Sequence, residues 1–192
     1  MRRTVLLGIA CLAVGCASGG PTVVDSAILR PGELSYGGPD PDAEAVQFAD
    51  WAFSDPSRLY GRPADAARAA ASMEYIAGAL NVGSRWGTLS AETRQQLLQG
   101  RDEVRDALGV VSGTPSQVVV DHLAAASTAL AAGDQQAALQ ALSAPTFNAP
   151  APVILARLAK MPYLRMANLS TAEADHELFD HDEGAWNVPS AP

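Results

Sequence analysis

The densest run of ligand-type side chains in the chain is Asp175-His176-Glu177-Leu178-Phe179-Asp180-His181-Asp182-Glu183. On a helix, His176 and Asp180 stand at i, i+4 and could face one cation, with Asp182 or Glu183 completing the set. The spacing follows none of the defined zinc patterns, such as His-Glu-x-x-His. The expectation is the solvated end of a last helix running into an acidic tail. His176, Asp180 and His181 stand as weak candidate ligands, and no resident metal or cofactor is expected. His122 follows Asp121 beside an apolar stripe with no nucleophile identifiable nearby, so it reads as a partly buried or surface histidine. Asp102-Glu103 lies among Arg101 and Arg105, where local ion pairing explains the carboxylates better than acid–base catalysis. No Gly-x-Ser-x-Gly, P-loop or dinucleotide fingerprint occurs. These residues predict a protein that is not an enzyme.

The cysteines point elsewhere. Met1-Arg2-Arg3 is a short positive start, Val5 to Val14 an apolar run, and Ala13-Val14-Gly15-Cys16 a small-residue cleavage site. The segment resembles a bacterial lipoprotein signal peptide, although Ala13 stands where that family prefers Leu. Cys11, behind Gly8-Ile9-Ala10, is a rival acceptor inside the apolar run. Ala17-Ser18-Gly19 would also suit cleavage by the general signal peptidase. The resemblance implies removal of residues 1–15 and lipid attachment at Cys16, hence a membrane partner reached through acyl chains rather than a spanning helix. The apolar run is about half the length that spanning requires. Ala17 after the cysteine implies, in a two-membrane bacterium, an outer-membrane protein facing the periplasm.

The formal net charge is −8, and losing Arg2 and Arg3 with the leader takes it to −10. Such a chain is poorly matched to nucleic acid phosphates or to an anionic bilayer face. With Cys11 removed and Cys16 acylated, no disulfide remains, so the domain must be held by packing.

The elements that position these residues follow from punctuation. Residues 16–39, studded with Gly and Pro, read as a flexible tether, although Thr22-Val23-Val24 and Ala27-Ile28-Leu29 are apolar enough to dock on the domain. Residues 40–180 read as one all-α domain of six or seven helices, and residues 181–192 as an acidic, Pro-containing tail. Asp40-Pro41, Pro63, Ser90, Thr114-Pro115-Ser116-Gln117 (a capping box with proline) and Asp134 start successive helices. Val153 to Leu158 mark a sixth, and Pro162 starts or kinks a seventh, which Ser170-Thr171-Ala172-Glu173 would split. Val118-Val119-Val120 is the best strand candidate, inside a helical pattern. Leu130-Ala131-Ala132-Gly133-Asp134-Gln135-Gln136-Ala137-Ala138-Leu139 resembles the turn of a tetratricopeptide-like hairpin, but no second copy follows at the repeat period.

Two functional expectations result. The first is a non-enzymatic envelope protein whose helical domain holds or scaffolds a protein partner of unknown identity, with Trp86 and Arg85 as the candidate contact. Trp86 sits in the glycine-flanked loop Gly83-Ser84-Arg85-Trp86-Gly87, where it reads either as an anchor for a partner or as a plug over the bundle's end. The second is a carrier with an apolar cavity between its helices for a lipid or other small hydrophobic ligand. Trp51 is expected to help cover the core.

Overall fold

Asp40 lies immediately before Pro41, and its carboxylate accepts from the amides of Asp42 and Ala43 at 3.2 and 3.4 Å. A proline at the first helical position gives up an amide that would have lacked a partner anyway. The first helix, α1, runs Pro41–Ser54 from this start. The computed structural model describes residues 24–30, 32–34, 39–143 and 145–179. Among them six more helices follow: α2 (Pro63–Val82), α3 (Ala91–Leu108), α4 (Ser116–Ala131), α5 (Gln135–Leu142), α6 (Ala151–Ala159) and α7 (Arg165–Phe179). Ser90 caps α3 through the Thr93 amide at 3.0 Å, and Asp134 caps α5 through the Ala137 amide at 2.9 Å. The fold is an all-α bundle, and the only sheet-like pairing among the described residues is an isolated antiparallel bridge, Val110 to Phe147.

The sequence of α2 explains its place. Its apolar residues do not keep to one stripe; Ala66, Ala67, Ala69, Ala70, Ala71, Met73, Ile76, Ala77 and Leu80 are all fully buried. A helix that is apolar all round belongs in the interior, and α2 packs against α1, α3, α4 and α6. Alanines let these neighbours approach closely, and Leu97, Leu108, Leu123, Ile154 and Leu158 fill what remains. On the outside, α7 lies against α1 and α3, while α5 bridges α4 and α6.

Three local expectations change, and the helical setting of Val118-Val119-Val120 holds. Thr114 and Gln117 do not form a capping box: the Thr114 hydroxyl donates to Val111 O at 2.7 Å, and the Gln117 side chain points at Ile28 and Asp121. Helix α7 is not split, because the Thr171 hydroxyl bonds back to Ala167 O at 2.9 Å inside a continuous helix. Val118-Val119-Val120 lies within α4. Trp51 is 37% exposed and stacks on Phe48 at 5.4 Å, while Phe53 takes the core position.

Residues 24–30, within the expected tether, lie on the domain, with Ala27 in the core cluster. The packed body therefore extends upstream of α1 through Ala27 and Leu29, while the Ile28 side chain faces solvent.

Candidate functional site

The ligand-type residues of the last helix do other work where they are described. His176 is exposed on α7. Asp180 and His181 lie outside the described residues, as does Cys16. Among the described residues no group of three or more His, Cys, Asp or Glu could hold a metal ion. Glu177 accepts from the Ser90 amide and the Thr93 hydroxyl, each at 2.6 Å, at the start of α3. Glu103 accepts from the amides of Arg165, Met166 and Ala167 at 3.1, 2.7 and 3.0 Å, at the start of α7. Its neighbour Asp102 pairs with Arg101 at 3.5 Å. His122 donates through Nδ1 to Ala141 O at 2.7 Å, tying α4 to α5.

Arg85 and Trp86 are brought together with the start of α1. The Arg85 guanidinium lies 4.2 Å from the Trp86 ring centroid, a cation–π distance. It also pairs with both Asp40 and Asp42, and the Tyr75 hydroxyl donates to Asp42. The Arg85 hydrogen bond pulls the Asp40 carboxyl below its usual range against a smaller opposing effect of burial. Burial, reinforced by the hydrogen bond to Asp42, pushes the Tyr75 phenol well above its ordinary value. Trp86 itself is 8% exposed, so its ring is a plug, and the part of the pair open to solvent is Arg85. This cluster clamps the α2–α3 connection to α1.

A third arrangement had no signal in the sequence. Asp25 accepts from the Ser116 amide at 2.7 Å, supplying the cap that α4 lacks locally. Arg105 stands beside it at 3.9 Å and makes a two-pronged pair with Glu74 at 2.8 and 2.5 Å. Burial opposes the Arg105 charge, but Glu74 and Asp25 outweigh it and the pKa is raised. Next to Ser116, the Gln117 amide reads the backbone of Ile28 twice: its oxygen accepts from Ile28 N at 2.7 Å and its nitrogen donates to Ile28 O at 3.1 Å. Arg30 then pairs with Asp121 at 2.9 Å. The segment presses directly on α2, since a Cβ at Gly78 would lie 2.6 Å from Ser26 Cα and 2.8 Å from Asp25 O.

An open groove of about 860 Å³ lies between α5 and the 145–152 segment, with Leu139, Phe147 and Pro150 among its walls. None of the described helices is long and apolar enough to cross a membrane. Comparison with known proteins yields no match: no family model, no curated protein and no solved structure.

Proposed function

We propose that this chain is an envelope lipoprotein, anchored through lipid on Cys16, whose helical domain holds a protein partner at the membrane surface without catalysing a reaction. In a two-membrane bacterium the proposed place is the outer membrane, facing the periplasm. The observation that carries the partner-holding reading is the interior. The nine apolar side chains of α2 named above are fully buried, and the groove beside α5 opens at the surface. A carrier of a small hydrophobic molecule needs a cavity of several hundred cubic ångströms between its helices. The groove beside α5 is of that size but opens at the surface, and a surface groove suits a protein segment better than an enclosed lipid, which favours a scaffold. The polar groups also argue this way: Glu103, Glu177, Asp25 and Asp40 are each engaged by amides at a helix start.

The docked segment bears on the anchor. From Cys16 to Val24 there are eight residues, which reach at most about 29 Å when fully extended. Docking therefore keeps the α2–α4 face close to the lipid. Membrane confinement raises the local concentration of any partner in the same membrane. Metabolic labelling with a palmitate analogue tests the anchor: the label is expected on the wild type and lost in Cys16→Ser, and undiminished labelling of the variant overturns it. Cross-linking in intact cells followed by mass spectrometry tests the function. A reproducible protein partner is expected; a lipid co-purifying with the domain, and no protein, would replace the scaffold with the carrier.

A further inference from the structure

Residues 25–30 are held by groups that read a peptide, one position after another. We propose that the face formed by α2, α3 and α4 is a binding site for a short protein segment of the pattern Asp-x-Ala-x-Leu-Arg, with the chain's own Asp25, Ala27, Leu29 (partly buried against the core) and Arg30 as its resident occupant. The acidic position meets the Ser116 amide at the start of α4 and the Arg105 guanidinium of α3. The small position is 4% exposed and lies in the core cluster, so a larger side chain cannot enter without displacing neighbours. The next residue, Ile28, is 78% exposed and is gripped only through its backbone, by Gln117. That contact is independent of side chain, so the site leaves this position unselected. The basic position meets Asp121. Gly78 forms the floor, because any side chain there would collide with the bound backbone.

A ligand attached to its own receptor competes at an effective concentration on the order of millimolar. The resident segment therefore acts as an internal competitor, and a partner segment enters when it peels away. The partner rests on the protein-interaction reading given above; the site does not.

The test is a fluorescent synthetic peptide of residues 24–30, titrated against the full chain and followed by anisotropy. Ala27→Arg dislodges the resident segment, and saturable binding at least about tenfold tighter than to the wild type is expected. Adding Gly78→Val is expected to abolish that binding, and a peptide with Glu in place of Arg30 to weaken it about tenfold. Should circular dichroism show Ala27→Arg unfolded, the pair Asp25→Asn and Arg30→Ala loosens the segment without inserting bulk. A folded, dislodged chain that fails to bind the peptide, or that binds it equally well with Gly78→Val, overturns the site. Failure of the peptide while cross-linking still recovers a protein sinks this site alone. Peptide binding with no protein recovered upholds the site and counts against the scaffold.

Discussion

Glu74 is 2% exposed in the middle of the most buried helix, a position that an isolated carboxylate would not tolerate. It is tolerated because Arg105 reaches it from α3 with two hydrogen bonds, while Ser116 Oγ and Asp25 Oδ2 stand 3.2 and 3.9 Å from the same Nη2. Removing one member of a buried pair leaves the other uncompensated, at about 3–5 kcal/mol. Arg105 would keep Asp25 and Ser116, so Glu74→Ala is expected at the lower end, about 3 kcal/mol, in urea unfolding. Replacing both partners together by Met should cost much less than either single change, because no unpaired charge remains. A double variant that loses the sum of the two singles would show that the two side chains contribute independently and that no orphaned charge sets the cost. The sequence placed Arg105 in a charged run but assigned it to Asp102 and Glu103. Its true partner lies 31 positions away on another helix, which helical spacing cannot reveal.

At the scale of elements, α3 and α7 are antiparallel, and the start of each is capped by the other. Glu103, near the end of α3, takes three amides at the start of α7, and Glu177, near the end of α7, takes the Ser90 amide ahead of α3. The carboxylates also sit at the positive ends of the two helix dipoles. Between them the helices come close enough that a Cβ at Gly100 would lie 2.7 Å from Ser170 Oγ and 3.1 Å from Ala167 Cα. Glu103→Ala is expected to lower stability by about 1–2 kcal/mol, the worth of a good cap with a dipole contribution. Hydrogen exchange should then speed up first at the Arg165, Met166 and Ala167 amides. Equal loss of protection across the chain, with no excess at these three, would deny the cap its local role. Helix starts marked by a local aspartate or serine, at Asp40, Ser90 and Asp134, were legible in the sequence. The caps of α4 and α7 were not, since Asp25 and Glu103 arrive from 91 and about 62 residues away.

At the scale of the molecule, helical periodicity and abundant alanine gave the class and the helix number, but not which helix is central. That choice follows from α2 being apolar on every side, a property of the whole bundle rather than of any one face. The candidate contact was half legible: a tryptophan in a glycine-flanked loop was visible, whereas its burial under Arg85 depends on α1 lying alongside. The central position of α2 has a thermodynamic consequence. Helix α5 packs mainly on α4 and α6 rather than on the central α2. It is nevertheless tied inward by His122 to Ala141 O, and the segment that follows it by Val111 to Thr146 O and Asn148 to Gly109 O, each at 2.7–2.8 Å. The two halves should therefore unfold together as one two-state unit. With Trp186→Phe removing the tail fluorophore, tryptophan fluorescence reports α1 and the α2–α3 connection, while far-ultraviolet circular dichroism reports all helices. The two transitions in urea are expected to coincide. Leu142→Ala, at a fully buried position of α5, should destabilise by about 2–4 kcal/mol and move both midpoints equally. A circular-dichroism midpoint that falls ahead of the fluorescence midpoint in this variant would mean that α5 and α6 melt on their own. The bundle would then be two cooperative units joined at α2.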